Sequence, residues 1–138
     1  MSGTMGQKAL VVDDDALMRR LCLGILELAG CRVIMANNGR EAVELATREL
    51  PQVIIMDVVM PEMNGLEALR QLKQAEATKA IPVIMMTGQA DRKIRAESTS
   101  SGAAVFLPKP FRPPQLLKAV RRLIRPKTAA TKSNPARQ

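Results

Sequence analysis

Histidine is absent from all 138 residues, and so are tryptophan and tyrosine. Without histidine the chain has no Ser-His-Asp or Cys-His nucleophile and lacks the ligand that most zinc enzymes use. Nor can it relay a phosphoryl group through a histidine of its own; a group arriving that way comes from another protein. The two cysteines, Cys22 and Cys31, have no metal-ligand spacing and are too few for a disulfide framework. That usage predicts a cytoplasmic chain with both thiols reduced. No apolar run is long enough to span a bilayer, and Met1 to Gln7 lacks the charged-then-apolar pattern of a secretory signal, so no membrane insertion is expected. Acid is missing from the last third. Met1 to Glu97 carries 12 basic and 13 acidic residues, whereas Ser98 to Gln138 carries nine basic and none acidic, so the whole excess of +8 resides there. A solvated helix face with a soluble tail accounts for such a run, and so does a docking surface for an acidic partner. With no interleaved aromatics and no nucleic-acid-binding motif, direct nucleic-acid binding is not expected.

What is present is aliphatic. Apolar residues make up 46% of the chain, yet two phenylalanines are the only aromatics, so the core is built from Leu, Ile, Val, Met and Ala. The length suits one domain. Short apolar runs alternate five times with helical periodicity. Strands are predicted at Ala9 to Val12, Arg32 to Ala36, Val53 to Met56, Ile81 to Met86 and Val105 to Leu107. The first helix is capped by Asp15 and stopped by Gly30, with Leu17, Leu21, Ile25 and Leu28 on its inward face. The second begins at Asn38 and carries Ala42, Val43, Leu45 and Ala46; the third buries Leu66, Leu69 and Leu72. A fourth, from Ala90 to about Ser100, is weakened by its run of Ser and Thr. The fifth runs from Pro114 to Ile124 with Leu116, Leu117, Val120 and Leu123 inward. This alternation implies an α/β fold: right-handed crossovers and a parallel sheet with helices on both faces. Residues 1–7 are expected to be a disordered N-terminus, 8–125 the folded domain and 126–138 a basic disordered tail.

In a fold of this kind ligands bind beyond the carboxyl ends of the strands. There the sequence sets Asp13 and Asp14 after the first strand, Asp57 after the third, Thr87 after the fourth and Lys109 after the fifth. Clustered carboxylates repel one another unless a cation joins them, and an all-oxygen acidic site suits Mg²⁺. Helix capping explains one aspartate of the Asp13 to Asp15 run, not three, and does nothing for Asp57. A carboxylate can attack phosphorus to form an acyl phosphate, and transfer then depends on positioning and electrostatics. Asp57 is therefore the candidate nucleophile, Lys109 the neutralising charge, and Thr87 a donor to a phosphoryl oxygen.

Val11-Val12-Asp13-Asp14, Asp57-Val58-Val59-Met60-Pro61, Asn64-Gly65, Thr87-Gly88 and Phe106-Leu107-Pro108-Lys109-Pro110-Phe111 resemble the motifs of bacterial response regulator receiver domains, the chemotaxis-type single-domain regulators included. All occur in order and correctly spaced, from about Lys8 to Ile124. The resemblance implies a flavodoxin-like (βα)₅ fold with strand order 2-1-3-4-5. It implies Mg²⁺ held by Asp14, Asp57 and the backbone carbonyl of Val59, with Asp13 acting through water, and a cis Lys109-Pro110 bond. It implies phosphotransfer to Asp57 from a sensor histidine kinase or a histidine phosphotransfer protein. It also implies a switch in which Thr87 moves inward, Phe106 follows, and the face of the fourth helix, fifth strand and fifth helix repacks. Arg92, Lys93, Arg95, Lys118, Arg121 and Arg122 would give that face its charge, for an acidic output protein.

Several positions depart from the common pattern. Val59 and Gln89 occupy the sites that tune acyl-phosphate hydrolysis in the family; valine cannot orient water, so a very short phosphate lifetime is not expected. Gly88 replaces the usual alanine. Asp15 leaves open which pair of acids meets the metal, although strand phase and the helix cap favour Asp13 and Asp14. Among rival readings, a haloacid-dehalogenase-like phosphatase needs a second acid two residues past the nucleophile, where Val59 stands. A pseudo-receiver has lost its acids, acceptor or lysine, and none is lost here. A receiver portion of a larger regulator, with its output domain elsewhere, is a matter of context that sequence does not decide.

Overall fold

A computed structural model describes residues 7–88 and 92–124. Five strands, β1 (Lys8–Val12), β2 (Arg32–Ala36), β3 (Val53–Asp57), β4 (Val83–Thr87) and β5 (Val105–Pro108), alternate with five helices. These are α1 (Ala16–Leu28), α2 (Gly39–Glu49), α3 (Gly65–Gln74), α4 (Arg92–Ser100) and α5 (Pro113–Leu123). The strands form one parallel sheet in the order β2-β1-β3-β4-β5, so the flavodoxin-like arrangement is observed.

The period of two along each central strand divides the core between the two faces. Ala9, Val11, Val53, Ile55, Ile84 and Met86 point to one side, under α1 and α5. Leu10, Val12, Ile54, Met56, Val83 and Met85 point to the other, under α2 and α3. Because both faces are covered, β3 and β4 are buried from end to end, as their unbroken apolar runs require. Pro82 has no N–H to donate, so the β4 ladder starts at Val83, two residues later than the apolar run suggests, although the Pro82 carbonyl still accepts from the Ile54 amide at 3.0 Å.

The helix caps follow the sequence closely. Asp15 accepts from the Leu17 amide at 3.0 Å, Asn38 from Glu41 at 2.9 Å and Asn64 from Glu67 at 2.9 Å. Gly30 ends α1 with φ at 84°, its amide donating back to the Glu27 carbonyl at 3.0 Å.

The inward face of α1 differs from expectation. Leu17 is 76% exposed and Leu28 71%, and Leu21 is exposed too, whereas Cys22, Ile25 and Leu26 are buried and Met18 packs beside them. Two apolar stripes of helical spacing run along α1 and share Ile25, so periodicity alone cannot choose between them. Packing makes the choice: Cys22, Ile25 and Leu26 join the cluster of Ala9, Val11, Leu116 and Val120. In α5, Leu116 and Val120 are buried with Ala119, while Leu117 and Leu123 are half-buried. In α2, Ala42 and Ala46 form the buried face, with Val43 and Leu45 at its margin. The expected N-terminal segment apart from Gln7, the basic tail, and the first residues assigned to the fourth helix lie outside the described residues.

Candidate functional site

Parallel strands share one C-terminal edge, so whatever follows them meets there. Asp13 comes directly after β1, Asp57 closes β3, Thr87 closes β4, and Lys109 follows β5. Thr87 pairs in register with Pro108, and the Lys109 amide donates to the Thr87 carbonyl at 2.8 Å, fixing the last strand end to its neighbour. The Lys109-Pro110 peptide is cis, as expected.

The side chains converge. The Lys109 ammonium lies 2.9 Å from Asp13 Oδ2 and 3.6 Å from Asp57 Oδ2. Carboxylate oxygens of Asp13, Asp14 and Asp57 lie within 4.8 Å of one another. Asp13 is wholly buried and both of its oxygens are engaged, Oδ2 by Lys109 and Oδ1 by the Asp15 amide at 2.9 Å. Asp57 is 6% exposed, and Asp14 stands in solvent. Thr87 is buried at the same edge.

Three carboxylates around one ammonium leave two negative charges without a partner inside the cluster. Burial, and then the charge of Asp13, push the Asp57 carboxyl up from its ordinary 3.8 to about 6, with Lys109 pulling the other way. Burial would lower the Lys109 ammonium, but its hydrogen bond to Asp13 and the charge of Asp57 outweigh that and hold it above its usual range. Both shifts describe a pocket short of positive charge. The donors are all oxygen, one exposed carboxylate and two buried ones, which is the chemistry a hard divalent cation such as Mg²⁺ accepts.

Two glycines shape the loops around this edge in ways that their motifs did not disclose. The Gly65 amide donates to the Val58 carbonyl at 2.7 Å, and a Cβ at Gly65 would collide with the Asp57 carbonyl. Gly39 meets the Met63 carbonyl in the same manner, tying the start of α2 to the loop between β3 and α3. Glu62 in that loop adopts φ of 66°. Sequence reasoning also missed Arg19, whose guanidinium donates to the Asp13 carbonyl at 2.7 Å.

Away from the edge, Phe106 is half-buried against the α2–α3 side of the core, with the Arg95 guanidinium 5.5 Å from its ring centroid. Arg92, Lys93, Arg95, Lys118, Arg121 and Arg122 are all exposed. Pro114 and Leu117 floor a shallow depression of about 450 Å³ that Lys118, Arg121 and Arg122 border.

Residues 9–121 match the family model of the response regulator receiver domain. The chain belongs to the receiver family. It is 38% identical over 120 residues to the chemotaxis protein CheY of Thermotoga maritima, spanning 86% of this chain and 98% of that one. The structure of Vibrio cholerae CheY4 superposes with a TM-score of 0.79 at 36% identity, covering 85% of this receiver and 98% of CheY4. The receiver domain of a Pseudomonas aeruginosa sensor histidine kinase superposes with a TM-score of 0.80 at 29% identity, covering 86% and 98% of the two chains; that structure carries a magnesium ion in its active-site cleft. The receiver family is a signalling family rather than one of turnover enzymes. No helix among the described residues is long and apolar enough to cross a membrane.

Proposed function

We propose that this receiver carries a phosphoryl group on Asp57 and uses it to switch the face formed by α4, β5 and α5. One observation supports the choice of Asp57 above all: it is the acid with a carboxylate oxygen 3.6 Å from Lys109 and a small opening to solvent, whereas both oxygens of Asp13 are engaged. Asp14 is exposed and suited to be a metal ligand. Mg²⁺ would be held by Asp14, Asp57 and the Val59 carbonyl, with Asp13 reaching it through water. When bound, it supplies positive charge against the phosphoryl oxygens.

The donor is a phosphohistidine of a sensor histidine kinase or a histidine phosphotransfer protein, since the chain has no histidine. An Asp57 carboxylate oxygen forms the new bond to phosphorus, the P–N bond breaks, and the imidazole leaves with its electron pair. Lys109 neutralises the oxygens of the moving group, and Thr87 donates to one of them. Leu17, exposed in the first turn of α1 beside the rim, and Leu21 one turn on offer apolar area that a protein donor would cover. Val59 cannot orient water, so the acyl phosphate is not unusually short-lived; Gln89, the other residue at issue, lies outside the described residues.

Loading Asp57 exchanges a carboxylate of one negative charge for a phosphoryl group of about two, a net gain of about one. Thr87 then moves toward the phosphoryl group and Phe106 turns into the space it leaves, which alters the exposed basic face that an acidic output protein docks on. Incubation with acetyl phosphate and Mg²⁺ followed by intact mass measurement tests the acceptor. The wild type gains one phosphate and Asp57→Asn gains none; an adduct on both, or on neither, rules Asp57 out.

A further inference from the structure

We propose that Arg19 is a positioning residue for the metal site, acting through the peptide that joins Asp13 to Asp14. The inference rests on the metal-assisted reading given above. Asp14 is exposed, and its carboxylate makes no hydrogen bond or ion pair among the described residues. Its direction is therefore set by its backbone. On one side of the turn, the Asp13 amide donates to the Ala36 carbonyl at 3.2 Å. On the other, the Asp15 amide donates to Asp13 Oδ1 at 2.9 Å, and Asp15 caps α1. The peptide unit between Asp13 and Asp14 is held by Arg19, whose Nη1 donates to the Asp13 carbonyl at 2.7 Å. A peptide is planar, so fixing that oxygen fixes the plane from which the Asp14 Cα departs.

Arg19 is itself firmly based. Its own amide donates to the Asp15 carbonyl at 3.1 Å inside the first turns of α1. The guanidinium thus ties the first turns of the helix back to the loop that precedes it.

Helix energetics alone do not favour this placement. A cation near a helix N-terminus opposes the macrodipole, and in α1 the acid at that end is the Asp15 cap, with none in the first turn itself. Residues that break a local rule tend to serve the site they adjoin. Here a charge-assisted bond to the carbonyl is the compensating gain.

Charge and positioning predict opposite signs. As a bare positive charge beside a cation site, Arg19 would repel Mg²⁺, and its removal would tighten binding. As an outer-shell anchor, its removal loosens binding roughly tenfold, the lower end of the usual loss for such groups. The test is calorimetric titration of Mg²⁺ into wild type, Arg19→Met, Arg19→Lys and Arg20→Met, with phosphorylation by acetyl phosphate followed over a range of Mg²⁺. Arg20 is the exposed neighbour of equal charge and controls for electrostatics.

Positioning predicts a Kd about tenfold weaker for Arg19→Met, within about threefold of wild type for Arg19→Lys, and unchanged for Arg20→Met. It also predicts that the Arg19→Met phosphorylation rate recovers at saturating Mg²⁺, which a general loss of structure would not allow. Equal or tighter binding by Arg19→Met, the same loss in Arg20→Met, or a rate that stays low at saturating Mg²⁺ overturns the assignment. If Arg19→Met does not fold, Arg19→Gln, neutral and too short to keep the contact, takes its place with the same outcomes. Failure of the wild type itself to bind Mg²⁺ instead overturns the metal-assisted reading.

Discussion

Helices α3 and α4 are of similar length and flank neighbouring strands, yet they are attached very differently. α3 buries Gly65, Leu66, Ala68, Leu69 and Leu72, begins with an Asn64 side-chain cap, and abuts the Asp57 carbonyl through Gly65. In α4 the buried residue is Ser98, whose hydroxyl donates back to the Ile94 carbonyl at 2.8 Å, and Ile94 itself is half-buried. Such back-bonding from serine stabilises a helix little. The element behind Asp57 is thus held by apolar burial, whereas the described residues of α4 bury much less apolar surface. A site that must place charged oxygens to a fraction of an ångström gains from the first arrangement. A face that changes when Asp57 is loaded, as proposed above, gains from the second, because local opening costs least where few apolar contacts are lost.

The strongest way to probe this contrast is truncation. Leu69→Ala removes a fully buried side chain and should cost about 3 kcal/mol in urea unfolding. Ile94→Ala should cost about 1 kcal/mol or less, because that side chain is only partly buried at the edge of the core. Equal losses would dissolve the comparison.

Acid acts on one side of it. The Asp57 carboxyl is raised to about 6 in the folded chain from an ordinary 3.8, so between those values the folded state binds more protons than the unfolded one. Stability therefore falls as pH rises from about 4 to about 6, by about 2–3 kcal/mol from this group. The penalty is absent below the ordinary value and complete above the raised one. Subtracting the profile of Asp57→Asn isolates it, and saturating Mg²⁺ should reverse its sign near neutral pH. In the same experiments Mg²⁺ affinity should fall about tenfold per pH unit below 6, as protons compete for Asp57.

A smaller effect is expected on the α5 side. Reversing Arg121 and Arg122 to Glu should weaken binding of an acidic output protein at least tenfold at low salt, about 1.4 kcal/mol, and much less at high salt. Co-precipitation with beryllofluoride-loaded chain measures it, and an unchanged affinity removes this face from consideration.

The rim was the most legible part of the molecule. In a parallel sheet the polar residue that ends each apolar run must lie at the shared edge, so Asp13, Asp57, Thr87 and Lys109 could be located from order alone. Helix starts at Asp15 and Asn38 were legible for a similar reason, since a capping side chain acts on amides two or three residues ahead, while the equivalent cap at Asn64 was not singled out. What could not be read depends on contacts between distant segments. The phase of α1 was ambiguous because Leu17, Leu21 and Leu28 mimic a buried stripe that the helix turns to solvent. Nothing in the sequence around Gly39 and Gly65 discloses the backbones that they approach. Arg19 resembled any surface cation, because nothing in its neighbours indicates that it reaches back six residues.

Charge placed on Asp57 is expected to be felt in α4 and β5 and hardly at all in α3. Hydrogen exchange of the backbone amides, with and without beryllofluoride and Mg²⁺, measures that directly. Exchange should change clearly across residues 92–100 and 105–108 and stay within error across 65–74. Unaltered exchange in α4 and β5 on loading, or a change confined to α3, would contradict it.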